Sequence, residues 1–188
     1  NTDITATGKD ENGNGIAATA TVGGTTYTQT GAVNIANSNI TADNNGIDLT
    51  GSNGGKVTIT DTAVTATKGF GIDATSHKDV TVSGVNVKAG TRGIVDTTPG
   101  STLNVDTDNT NHSITAGTVG IEIGGKGSNV NYKGTDPLSI EITKGGEEHT
   151  NGGIYAHDGA ISNNPAMDTT ITIDGTADGA SASGLIAT

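Results

Sequence analysis

The sequence predicts an all-β protein: a right-handed parallel β-helix of about six coils, with three short strands in each coil. Two observations carry the prediction. A Gly-Ile unit recurs seven times at a mean spacing of about 28 residues, and two apolar-polar-apolar triplets follow in constant order between its copies. Self-similarity at such a period marks stacked supersecondary units. No stretch shows the 3.6-residue periodicity of an amphipathic helix.

The unit reads Gly15-Ile16-Ala17-Ala18, Gly46-Ile47-Asp48-Leu49, Gly71-Ile72-Asp73-Ala74, Gly93-Ile94-Val95-Asp96, Gly120-Ile121-Glu122-Ile123, Gly153-Ile154-Tyr155-Ala156 and Gly184-Leu185-Ile186-Ala187. Its steps are 31, 25, 22, 27, 33 and 31 residues. The first triplet is Val33-Asn34-Ile35, Val57-Thr58-Ile59, Val80-Thr81-Val82, Leu103-Asn104-Val105, Val130-Asn131-Tyr132 and Ile171-Thr172-Ile173. The second is Ile40-Thr41-Ala42, Val64-Thr65-Ala66, Val85-Asn86-Val87, Ile114-Thr115-Ala116 and Ile140-Glu141-Ile142, with no clear last copy. Alternation by two sends Ile, Val, Leu and Ala inward and Thr, Asn, Asp and Glu outward. Parallel crossovers wind right-handed by default.

In chain order, residues 1–18 hold one strand (Asp3-Ile4-Thr5-Ala6), a polar turn from Lys9 to Asn14 and the first Gly-Ile unit. Thr19 to Ala32 is a long connection whose Thr25-Thr26-Tyr27-Thr28 is β-prone, as an extra strand or a hairpin. Residues 33–96 are the most regular part, with single-residue corners such as Gly84 that demand a glycine or bulge conformation. From residue 97 the connections lengthen, and Asp106 to His112, Thr143 to Gly152 and His157 to Thr170 are expected to protrude. Solenoid insertions project from one face and often carry binding. Residues 1–188 read as a single β-helix segment, expected to be a piece of a longer one because neither end looks like a polar cap.

A hydrophobic content of 31% and an aromatic content of 2% are too lean for a sandwich, and by count alone would suit a disordered chain. Placement argues for order, since the apolar residues fall where they can stack into ladders around a narrow core. The formal net charge is −11 and the nine basic residues are scattered along the sequence. That argues against nucleic acid, an anionic membrane or a heparin-like partner, all of which need concentrated positive charge. Cysteine is absent. This suits bacterial surface proteins that cross an outer membrane unfolded better than disulfide-stapled secreted domains. No run of 18 apolar residues occurs, so no membrane insertion by this segment is expected.

The recurrent Gly-Ile-x-Ala/Leu/Ile, Val-Thr-Ile and Ile-Thr-Ala strands, with Asn, Asp and Gly turns, resemble the passenger domains of type V autotransporters. These are the pertactin-like and self-associating adhesins with a pectin-lyase-like β-helix. The resemblance covers residues 3–187 and is specific for the architecture. It implies a bacterial outer-membrane surface or secreted, extracellular location. It also implies an adhesive role, through self-association or a host protein or glycan.

The residue after each Gly-Ile forms an outward column: Ala17, Asp48, Asp73, Val95, Glu122, Tyr155 and Ile186. Coils stack about 4.8 Å apart, so Asp48 and Asp73 are like-charged neighbours. They read either as a cation or basic-partner docking strip, helped by Asp43, Asn44 and Asn45, or as a solvated face where screening keeps repulsion small. Two carboxylates fall short of the six or more oxygens that calcium takes. Tyr155 is the best single contact candidate, with His157 and Asp158 just after it. His149 and His157 lack metal-ligand spacing, so no metal and no cofactor are expected. Outward Thr and Asn rows (Asn34, Thr58, Thr81, Asn104, Asn131 and Thr172; Thr41, Thr65, Asn86 and Thr115) form a hydrogen-bonding surface that could zip against an identical molecule. Coils of unequal length do not suit an ice-binding array.

Carboxylates and histidines for glycoside chemistry exist in Asp106-Thr107-Asp108, Glu147-Glu148-His149 and His157-Asp158. Against an enzyme, Arg92 is the lone arginine, and the aromatics available to stack a sugar are only Phe70, Tyr27, Tyr132 and Tyr155. The reading is attachment without chemistry. Its binding candidates are Asp48, Asp73, Glu122, Tyr155, His157 and Asp158; a surface stalk and a carbohydrate-active β-helix are the alternatives.

Overall fold

A computed structural model of the chain describes residues 2–7, 13–22, 25–51, 54–108, 112–144, 152–158, 169–173 and 183–187. Among these residues there are 21 strands and no helix. The Gly-Ile units stack in one parallel sheet of seven strands: Ile16–Ala17, Ile47–Asp48, Ile72–Asp73, Arg92–Asp96, Val119–Gly124, Gly152–His157 and Ser183–Ala187. Register places Ile16, Ile47, Ile72, Ile94, Ile121, Ile154 and Leu185 in a single ladder. Ile47, Ile72, Ile94 and Ile121 are wholly buried. Each such side chain removed from water contributes roughly 1.5–3 kcal/mol.

The glycine before the isoleucine is required by space in the first five units. A Cβ added to Gly71 would lie 2.7 Å from the carbonyl oxygen of Gly93 in the next coil and closer still to a γ-methyl of Val87. Gly15, Gly46, Gly93 and Gly120 meet the same two obstacles, with Ile40, Val64, Ile114 and Ile140 supplying the methyl. Two sheets converge at this corner, and only a residue without a side chain fits between them.

The second seven-stranded sheet is Thr2–Ala6, Ser38–Ala42, Ala63–Ala66, Asn86–Ala89, His112–Ala116, Leu138–Ile142 and Thr169–Ile173. The third has five strands: Val33–Ala36, Val57–Thr60, Asp79–Ser83, Thr102–Asp106 and Asn129–Lys133. All pairings within the three sheets are parallel, which makes the molecule a β-solenoid with three strands per coil. Five consecutive coils carry all three strands, flanked among the described residues by a two-strand turn on either side. The connection after the first Gly-Ile unit is a hairpin, Thr19–Val22 antiparallel to Thr25–Thr28. The core is the column between the sheets, filled almost entirely by Ile, Val, Leu and Ala.

Two sequence assignments need correction. Ile171-Thr172-Ile173 belongs to the second sheet and not the third, pairing with Ile140-Glu141-Ile142. Ile-Thr-Ile differs from Ile-Thr-Ala only in its last side chain, so the triplet alone could not choose the sheet. In the third coil the triplet in register with Val64-Thr65-Ala66 is Val87-Lys88-Ala89, two residues beyond Val85-Asn86-Val87. A shift of two preserves which side chains face inward, so alternation is blind to it. The corner decides instead. Asn37, Asp61 and Gly84 turn the chain there with φ of 50°, 46° and 62°, a left-handed conformation open to Gly, Asn and Asp. The expected tight turn at Gly84 is therefore present, and Val85 becomes the first residue past it, as Ser38 and Thr62 are in the coils before.

In the next coil an imidazole stands at the start of the strand that follows this corner. His112 is 3% exposed, and its Nε2 accepts the Gly84 backbone N–H at 2.6 Å. Burial pushes its pKa down, which keeps the ring neutral and the Nε2 lone pair available. Much of the three long connections (109–111, 145–151 and 159–168), with Glu147, Glu148 and His149, lies outside the described residues.

The glycine column yields a direct test. Gly71→Ala must displace the Gly93 carbonyl or Val87 and should cost about 1–3 kcal/mol or more, lowering the Tm by at least about 2–4 °C per kcal/mol. Gly31→Ala, whose nearest non-neighbouring atom would be a Gln29 amide nitrogen at 3.6 Å, should change the melt little in the same calorimetric scan.

Candidate functional site

The column that follows the isoleucines is in register as expected: Ala17, Asp48, Asp73, Val95, Glu122, Tyr155 and Ile186. Its expected solvation is not found. Asp73 is 6% exposed, Val95 3% and Glu122 4%, while Asp48 and Tyr155 are half-buried. The cover comes from the chain leaving each strand. Asp48 Oδ1 accepts the Thr50 N–H at 3.1 Å, Asp73 Oδ1 the Thr75 N–H at 3.1 Å, and Asp96 Oδ1 the Thr98 N–H at 3.0 Å. These are Asx turns, in which the carboxylate caps a backbone donor two residues on.

Asp48 is the most fully engaged of them. It also accepts the Thr50 hydroxyl at 2.6 Å, the Asn14 amide at 2.9 Å and the Asn45 amide at 3.3 Å. Asp73 has fewer donors. Burial, above all, raises its pKa against the opposing Thr75 hydrogen bonds, and the neighbouring Asp48 and Asp96 carboxylates add to the rise. Asp96 is shifted the same way by burial. It occupies an inward position, opposite Ile123 in the next coil, and is fully enclosed.

Further along the column four candidates come together. Glu122 is held between Arg92, with Nη1 2.6 Å from Oε2, and His157, with Nε2 3.1 Å from Oε1. The other His157 nitrogen lies 3.5 Å from Asp158 Oδ2. Tyr155 stacks on the His157 ring with centroids 4.8 Å apart at 27°. Arg92 extends the assembly the other way, its guanidinium 5.6 Å from the centre of the Phe70 ring. Phe70, Arg92, Glu122, His157 and Asp158 thus form one strip of planar and charged groups along the Gly-Ile sheet, with Tyr155 laid against it.

Asp48 and Asp73 lie on earlier coils and serve turns. Asp158, at the far end of the strip, is exposed and has φ of 50°. Among the described residues no three histidine or carboxylate side chains are grouped as a metal site. The sequence singles out Arg92 as the lone arginine and Phe70 as one of four aromatics, but does not mark either as a site residue. Both stand immediately before a Gly-Ile unit, so aligning the repeats one position upstream places them side by side; the next residue in that row is Val119, and it is the Arg92 side chain that reaches Glu122.

Polar rows cover the other two sheets. On the five-stranded sheet Asn34, Thr58, Thr81, Asn104 and Asn131 stand in one register. The Asn131 amide donates to Asn104 Oδ1 at 3.2 Å. On the second sheet the row is Thr5, Thr41, Thr65, Lys88, Thr115, Glu141 and Thr172; Asn86 sits one row over.

No family model, curated protein or solved structure matches the chain.

The buried carboxylate of Asp73 sets a pH-dependent prediction. A pKa above 3.8 in the folded state means that unfolding is favoured as pH rises through the interval from 3.8 to the folded value, and the penalty persists at neutral pH. Asp73→Asn keeps the Oδ1 acceptor and removes the charge. Its Tm should exceed that of the parent at pH 7, and the gain should disappear as pH falls toward 3.8 in paired thermal melts.

Proposed function

We propose that this chain is an attachment segment of a bacterial surface adhesin. It would bind through many weak contacts along its polar sheet faces, without chemistry. The observation that carries the reading is the five-stranded face with its single-register row of Asn34, Thr58, Thr81, Asn104 and Asn131. Such a row repeats the same donors and acceptors about every 4.8 Å, so a second copy can meet it with matching spacing. Weak contacts linked on one rigid body gain strength through effective concentration. The charges beside the row are already engaged, with Lys56 3.8 Å from Asp79 and Lys133 3.3 Å from Asp106.

The resemblance to autotransporter passengers, the lack of cysteine and the polar turns support an extracellular location on a bacterium. The strip at Phe70, Arg92, Glu122 and His157 has its charges mutually satisfied.

Beads coated with the chain should clump, and excess soluble chain should disperse them. Thr81→Lys with Asn104→Lys, placed on neighbouring coils of the row, should abolish clumping while leaving the circular dichroism melt in place. Wild-type beads that stay dispersed would contradict homotypic attachment and favour a stalk or attachment to a host ligand.

A further inference from the structure

Lysines far apart in the sequence converge on one corner of the solenoid. The corner joins the second sheet to the Gly-Ile sheet, and its length varies from coil to coil. Between the aligned residues Ala66, Ala89, Ala116 and Ile142 and the following Gly71, Gly93, Gly120 and Gly153 lie residues 67–70, 90–92, 117–119 and 143–152. The two short corners therefore form a floor between longer ones. That floor carries no side chain at its start: a Cβ on Gly90 would press on the Thr67 carbonyl, and one on Gly117 on the Gly90 carbonyl.

The result is a groove of about 360 Å³ whose lining includes Thr65, Lys88, Gly90, Thr115, Thr143 and Lys144. Lys144 leans across it, its ammonium 3.4 Å from the Gly90 carbonyl 54 residues earlier in the chain. Lys68 stands on the neighbouring corner, its Cα close to Gly90. Lys88 and Lys144, far apart in sequence, are thus brought onto one groove by the repeat.

The described basic residues divide into those with an acidic partner and those without, Lys68, Lys78 and Lys126 being among the latter. Lys56, Lys133 and Arg92 each face a carboxylate within 4.0 Å. Among the described residues neither Lys88 nor Lys144 does. The nearest acidic group on the row, Glu141, is engaged by the Thr115 hydroxyl at 3.2 Å. In a chain of net charge −11, two lysines without an ion-pair partner among the described residues line one groove. The walls offer threonine hydroxyls, and the floor offers peptide groups. No aromatic side chain lines the groove to anchor a peptide.

We propose that this groove binds an acidic saccharide, with its anionic group between Lys88 and Lys144 and its hydroxyls against Thr65, Thr115 and the glycine floor. A volume of this size holds a few sugar units. The proposal rests on the attachment reading and names a ligand class for it, at a face separate from the five-stranded row.

The test is binding of the full chain to immobilised oligogalacturonate, to its neutral methyl ester and to a heparin fragment. At least one acidic chain should bind and the ester should not. Lys88→Ala and Lys144→Ala should each weaken binding about tenfold or more, whereas Lys56→Ala, on another sheet, should leave it unchanged. Raising salt from about 50 to 500 mM should weaken it strongly. Carboxylate and sulfate as the recognised group are separated by which acidic chain binds. Failure of both acidic chains, equal binding of the ester, or equal loss with Lys56→Ala would overturn the proposal. Beads carrying Lys88→Ala and Lys144→Ala should still clump, so loss of glycan binding and loss of self-attachment are told apart.

Discussion

The constraint on which the rest of the molecule depends is the line of glycines where the Gly-Ile sheet meets the second sheet. The carbonyl of each glycine occupies the place where the Cβ of the glycine one coil earlier would have been, and a γ-methyl from the second sheet closes the rest. Coil spacing, the angle between the sheets and the depth of the isoleucine ladder all follow from that contact. Hydrogen bonding along the sheets then needs no sequence specificity, since each backbone group finds its partner one coil away.

With the inner column set by space, the outer surfaces are free to vary, and their variation is where the chain acquires character. Corners with left-handed residues at Asn37, Asp61 and Gly84 hold the first coils to a tight path. Asx turns at Asp48, Asp73 and Asp96 tie the exit from the Gly-Ile sheet, and in doing so draw carboxylates under cover. A solenoid of mean acidity thus carries several acidic groups that contribute to turns more than to surface potential.

Much of this was legible from the chain. The Gly-Ile spacing located every strand of one sheet, and the Val-Thr-Ile triplets located all five strands of another, because apolar alternation and a glycine marker are local signals. The register of Asn86–Ala89 and the sheet of Thr169–Ile173 were not, because alternation repeats every two residues and similar triplets serve both sheets. The site was half legible. Glu122, Tyr155, His157 and Asp158 do meet, but Arg92 and Phe70, which complete the strip, are visible only once the coils are stacked. The Lys88 and Lys144 groove was the least legible feature, since it depends on the relative lengths of corners and not on any motif.

The account stands or falls on axial stacking in the stated register. The chain has no cysteine, so introduced pairs report cleanly. Thr58 and Thr81 are direct partners on neighbouring coils, and Asn104 lies one coil further on. Neighbouring strands place Cα atoms about 4.8 Å apart, within the span of a disulfide, whereas a separation of two coils, about 10 Å, is beyond it. Under mild oxidation Thr58→Cys with Thr81→Cys should cross-link rapidly, and Thr58→Cys with Asn104→Cys should remain reduced. Cross-linking of the second pair in preference to the first would contradict the register and with it the stacked architecture.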